Sequence, residues 1–152
     1  MAGGMTEIAD PRRVEIETPD LEITLPARAE NVAVVRHAVG GLGEVLEVDD
    51  QTLSDIKLAV TEACTNVVVH AYPGSEGPMG LRASIDDRRL YLVVIDRGRG
   101  IVPRPDSPGL GLGLPLIATL AESLELGTGR DEETEVRMIF DLGAPLTDSE
   151  VA

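Results

Sequence analysis

The segment TEACTNVVVHAY (residues 61–72) carries Glu62, Asn66 and His70 at every fourth position, so on a helix they form one polar ridge. A carboxylate, an amide and an imidazole in line make a row of groups that each require a hydrogen-bond partner. Their neighbours Val60, Ala63, Val67 and Val68 are apolar. Buried polar groups without partners cost about 1–3 kcal/mol each, so the ridge needs either solvent or a ligand. Further along, Asp96 ends the apolar run YLVVI and opens DRGRG, where Gly98 and Gly100 let backbone pass close to a flat ligand. A third cluster, GLGLG, places Gly109, Gly111 and Gly113 ahead of a segment that Pro115 helps to start as a helix. Uncovered N–H groups at a helix N-terminus suit phosphate. Neither G-x-G-x-x-G nor G-x-x-x-x-G-K-[ST] is present, since Lys57, the only lysine, lies elsewhere, so the dinucleotide and P-loop readings fail.

Each feature alone also fits an ordinary role: a solvated stripe or a satisfied core histidine, an Asp-Gly turn, a flexible glycine run. Arg97, Arg99 and Arg104 are loop arginines, with phosphate contact as the alternative to plain surface charge.

The elements that must carry these groups can be read from apolar periodicity and turn residues. Residues 1–13 read as a flexible start, 14–142 as one domain and 143–152 as an acidic tail. Alternation from Val14 to Ala27, broken at Pro19–Asp20, predicts a strand or short hairpin. Glu30 to Val39 predicts a helix that the glycines of GGLG (40–43) should end. Asp50 to Tyr72 is the strongest helix, capped by Thr52 or Ser54 and closed by the Pro/Gly cluster AYPGSEGP. Two strands follow (Leu81–Ile85, Leu90–Ile95), then a helix from Leu114 to Ala121 and strands near Ser123–Thr128 and Glu135–Leu142. Helices first, then hairpin strands around one further helix, predict an α+β two-layer sandwich; the βαβ alternation of a doubly wound sheet is missing.

The chain has 152 residues, 43% of them hydrophobic, which predicts one packed core in place of disorder. A formal charge of −14 argues against a nucleic-acid backbone as partner, which calls for a basic face. Apolar runs are too short to span a membrane and nothing resembles a signal peptide, so a cytoplasmic protein is expected. The lone Cys64, in an apolar helix, reads as a core filler.

Taken in order, E-x-x-x-N on a helix, D-x-G-x-G after a strand and G-x-G-x-G before a helix resemble the Bergerat nucleotide-binding fold of the gyrase, histidine-kinase and MutL (GHKL) superfamily. TEACTNVVVHAYPG and the chain length are similar to its anti-sigma-factor serine/threonine kinase branch, from Arg28 to Leu142. The resemblance implies a mixed, mostly antiparallel sheet with helices on one face, binding ATP with Mg²⁺. It implies that Asn66 would hold the Mg²⁺ and Asp96 would accept from the adenine amino group, with Gly98 and Gly100 clearing space for the ring. Gly109, Gly111 and Gly113 would wrap the phosphates, and Glu62 would be the general base for a protein hydroxyl. Thr134 matches a family threonine near adenine, although Glu133 stands where the family has glycine. The segment IVPRPDSP would be a proline-stiffened lid, shorter than in full anti-sigma kinases. His70 is expected beside the site, not as a phosphoacceptor, because the histidine-kinase acceptor sits on a separate helix. The first helix, with Arg28 and Arg36, occupies the partner-binding place, and Arg36 is the candidate contact.

The function implied is a kinase that phosphorylates an anti-anti-sigma (STAS) protein and regulates a sigma factor, with a homodimer as the expected assembly. The alternative is a nucleotide-dependent binding switch without significant kinase activity. A third reading gives the ridge and glycines purely structural roles.

Overall fold

Residues 18–98 and 113–146 are described in the computed structural model. The element order is β1 (Leu21–Pro26), α1 (Ala29–Val45), α2 (Asp50–Asn66), β2 (Pro78–Asp86), β3 (Arg89–Asp96), α3 (Gly113–Leu120), β4 (Ser123–Thr128) and β5 (Thr134–Asp141). The strands form one sheet in the order β1-β2-β3-β5-β4. Every pairing among these strands is antiparallel, in place of the mixed sheet implied by resemblance. The reason is topological. The crossover through α3 does return β4 parallel to β3, but β5 is inserted between them and runs against both.

One face of the sheet is covered by the helices. Val35 and Val39 of α1, Ile56 and Val60 of α2 and Ile117 of α3 are buried in one cluster with Leu81, Leu92, Val94 and Met138 of the strands. Helix α2 lies between α1 and α3, so residues at its C-terminal end can face α3 while its other flank holds α1. Cys64 is buried in this core, and burial pushes its thiol up to about 12, as an inert filler requires.

Three local expectations change. Helix α1 runs through GGLG to Val45. A Cβ on Gly43 would lie 2.3 Å from Leu53 Cδ1, and one on Gly40 2.8 Å from Lys57 Cε, so these glycines admit α2 at close range and do not stop α1. The cap of α2 is Asp49, whose carboxylate accepts from the N–H of Thr52 at 2.9 Å. Of the expected strand at Val14–Ala27, Leu21–Pro26 is a strand, and residues 14–17 lie outside the described residues, as do the N-terminal segment and most of the acidic tail.

The β2–β3 hairpin turns through Asp87 and Arg88, both left-handed (φ 49 and 59), the geometry of a type I′ turn that ordinarily takes Asn and Gly. Arg88 is held there by its side chain, which donates to the carbonyls of Gly143 (2.7 Å) and Leu46 (2.7 Å) and ties the hairpin to the end of α1.

Candidate functional site

Asp96 is the last residue of β3 and, at 5% exposed, one of two buried acids among the described residues. The strand alternation that puts Leu92 and Val94 in the core also turns Asp96 to the helix side. Across the sheet its register partner is Thr134, at the start of β5, so the two expected adenine contacts are neighbours. Asp96 Oδ1 accepts from the N–H of Gly98 at 2.9 Å. Burial raises the carboxyl above its ordinary value, and that N–H offsets part of the rise.

Gly98 is there by necessity. A Cβ at this position would lie 2.0 Å from the carbonyl oxygen of Ala71. The turn after β3 is thereby pressed onto the end of the helical segment that begins with α2. Tyr72 fastens the same turn: its hydroxyl accepts from the N–H of Arg97 at 2.7 Å and donates to the carbonyl of Pro78.

Asn66 ends α2, and Val67–Ala71 continue it as a π turn. Such turns are often found at functional sites. The wider winding takes His70 out of the straight i, i+4 ridge expected from spacing. Glu62 and Asn66 remain one α-helical turn apart on α2, both half-buried. A Cβ on Gly113 would lie 3.0 Å from Asn66 Nδ2 and 3.1 Å from Oδ1, so the amide of Asn66 sits against the first residue of α3. The end of the ridge and the end of the glycine cluster therefore meet. No hydrogen bond or ion pair from Glu62 is found among the described residues.

The structure thus joins Asp96 to Thr134, Gly98 to the end of the α2 segment, and Asn66 to Gly113. Gly100, Gly109 and Gly111 lie outside the described residues, as do Arg99, Arg104 and the expected lid. Arg36 is half-buried on α1, which flanks the side of α2 away from α3; Arg28 is paired with Glu76. The guanidinium of Arg97 donates to Glu133 Oε1 from Nε (3.1 Å) and Nη2 (2.9 Å).

The amide of Asn66 against the first residue of α3, and Asp96 in register with Thr134, both lie within the span that comparison with known proteins assigns to one family. The profile of the histidine kinase-like ATPase domain family matches residues 25–140. The chain belongs to that family. Within it, a serine-protein kinase RsbW from Halalkalibacterium halodurans is 39% identical over 121 residues, 70% of this chain and 74% of the relative. The Bacillus thuringiensis serine-protein kinase RsbW is 32% identical over the same length, covering 76% of that protein. Among solved structures, the RsbU and RsbW domains of a Mycobacterium tuberculosis protein align with a TM-score of 0.66 and 26% identity, over 84% of this chain. This chain spans 34% of that longer polypeptide.

For a histidine kinase-like ATPase of the RsbW kind, the described residues add three site features that sequence reasoning missed. Tyr72, the buried Glu133 and its pair with Arg97 all act on the turn behind Asp96. The only sequence signal was the departure at Glu133 from the family glycine. Tyr72 gave none, because its partners lie 25 residues downstream at Arg97 and across a Pro/Gly turn at Pro78.

Proposed function

We propose that this chain is an ATP-dependent protein serine/threonine kinase that phosphorylates an anti-anti-sigma protein of the STAS type and, through it, controls a sigma factor. The observation that carries the reading is the contact of Asn66 with Gly113, supported by kinship to serine-protein kinases. In this reading Asp96 accepts from the adenine amino group, with Thr134 beside it, and Gly98 clears space for the ring. Gly100 completes that clearance, and Gly109, Gly111 and Gly113 offer N–H groups to the phosphates. Among the described residues no cluster of three or more His, Cys, Asp or Glu could hold a metal. The single neutral oxygen of Asn66 instead suits Mg²⁺ that arrives on the triphosphate and keeps several waters. When bound, the ion neutralises charge on the phosphates.

Glu62, one turn from Asn66, takes the proton of the substrate hydroxyl as that oxygen bonds to the γ-phosphorus and the bond to ADP breaks. Arg36 on α1 is the proposed protein contact, and a cytoplasmic homodimer is the proposed assembly. No described helix is long and apolar enough to cross a membrane.

The test is transfer of labelled γ-phosphate from ATP to a purified cognate STAS protein, by wild type and by Glu62→Gln. Loss of a general base should slow transfer about 10²–10⁴-fold while ATP still binds. Equal transfer by both proteins removes Glu62 from the mechanism. Tight ATP binding with no transfer by the wild type establishes the alternative, a nucleotide-dependent binding switch.

A further inference from the structure

We infer that the Arg97–Glu133 ion pair is a positioning device that sets how sharply Asp96 distinguishes adenine from guanine nucleotides; this rests on the proposed adenine role of Asp96. Glu133 is 6% exposed, and a buried carboxylate persists only with a partner. Its Oε1 takes both Arg97 N–H groups, while the Arg97 side chain is otherwise 60% exposed. The ordered conformation of Arg97 therefore derives from Glu133.

The place of the pair matters more than its strength. Asp96 and Thr134 are the last register partners of β3 and β5, and Arg97 and Glu133 are the next residues outward on each chain. The ion pair thus fastens the two strands just beyond their final pairing. On the same turn, the N–H of Arg97 is held by Tyr72 and the N–H of Gly98 by Asp96. Glu133 is aimed inward by a turn in which Asp131 and Glu132 both adopt left-handed conformations (φ 56 and 62). The turn is closed by the N–H of Gly129 on the Glu133 carbonyl at 2.7 Å. Two consecutive non-glycine residues in that region are retained only where the surroundings hold them.

The chemistry of the bases gives the consequence. Adenine presents an amino donor where guanine presents its O6 acceptor. A carboxylate held rigidly rewards the donor and repels the acceptor, whereas one free to turn aside rejects guanine poorly. Asp96 Oδ1 holds the Gly98 N–H, and the chain runs from Asp96 straight into Arg97, which is tied to Glu133.

Replacing both partners of an ion pair with apolar groups of similar shape is close to neutral for folding, so Arg97→Met/Glu133→Met separates positioning from stability. The single variant Glu133→Met, which leaves only the exposed Arg97 without its partner, is the second probe. ATP·Mg²⁺ affinity is measured on the full chain by calorimetry and GTP·Mg²⁺ affinity by competition, with melting temperature alongside. In both variants the ratio Kd(GTP)/Kd(ATP) should fall about tenfold, the order expected for loosening one charge-assisted hydrogen bond. A purely structural pair would lower the melting temperature and weaken both nucleotides alike. A ratio within twofold of wild type in a cooperatively melting variant therefore overturns the inference. Asp96→Asn is measured in parallel. If it weakens ATP while the pair variants keep the wild-type ratio, the pair inference alone falls; if it leaves ATP affinity unchanged, the adenine role of Asp96 falls and the inference with it.

Discussion

Gly98→Ala places one methyl group where the backbone of the π turn already stands. Its Cβ would lie 2.0 Å from the Ala71 oxygen, 2.6 Å from the Ala71 carbonyl carbon and 2.9 Å from its Cα. Favourable carbon contacts begin at about 3.5 Å, so the turn after β3 must retreat by about 1 Å or more. All three obstacles are main chain, and no rotamer change relieves them. The retreat breaks the Arg97 N–H bond to Tyr72 (2.7 Å) and pulls the Gly98 N–H from Asp96 (2.9 Å). Overpacking costs about 1–3 kcal/mol and the two hydrogen bonds about 1 kcal/mol each, so the variant should lose about 3–5 kcal/mol. That is a large share of a typical domain stability of about 5–15 kcal/mol. Because Asp96 moves with the turn, ATP affinity should fall by about tenfold or more, as loss of one charge-assisted hydrogen bond implies. Urea denaturation and calorimetric ATP titration read the two effects. Gly41→Ala is the control: the same methyl group on α1 meets nothing within 4 Å and should stabilise by about 0.5–1 kcal/mol. A Gly98→Ala protein within 0.5 kcal/mol of wild type, with ATP affinity intact, would refute the close-approach reasoning.

Burial raises the Asp96 carboxyl, so the folded chain binds that proton more tightly than the unfolded one. Asp96 therefore lowers stability as pH rises from the ordinary carboxylate value through its raised one. Asp96→Asn should melt higher than wild type at neutral pH, with the difference vanishing in acid, and should lose ATP affinity; thermal melts across pH with and without ATP check both. Tyr72→Phe leaves the Arg97 N–H and Pro78 carbonyl without their partner and should lose about 1–3 kcal/mol in urea denaturation. Arg88→Ala should destabilise more than Arg88→Gly, by about 1 kcal/mol, because both lose the bonds to Leu46 and Gly143 but only alanine resists φ 59. Equal melting temperatures for that pair would argue against strain at the hairpin.

Much of the fold was legible because its signals are local. The apolar strands Leu81–Ile85 and Leu90–Ile95, the apolar spacing of Asp50–Tyr72 and the first-turn proline at 115 each specify an element within a few residues. The order of the three motifs was enough to identify the nucleotide-binding family, whereas the register that sets Asp96 opposite Thr134 came from the structure. Misreadings arose where a neighbour distant in sequence overrides a local preference. Glycine weakens a helix interior by about 1 kcal/mol, so GGLG reads as a stop. In the fold, Gly40 and Gly43 are the residues that let Lys57 and Leu53 come close, and α1 continues through them.

What residue types and spacing determined, then, is the chemistry on offer: a carboxylate and an amide on one helix, an acid at a strand end, glycines before a helix. What only the tertiary structure decided is how that acid is held. Tyr72 on Arg97, Arg97 on Glu133 and Ala71 on Gly98 span 25 to 36 positions of chain. Such contacts exist only once β5 has slipped between β3 and β4 and the π turn has closed onto the sheet. Periodicity reports the face each residue presents to a generic core, because burial depends on local winding; the particular atom met there depends on how separate elements dock.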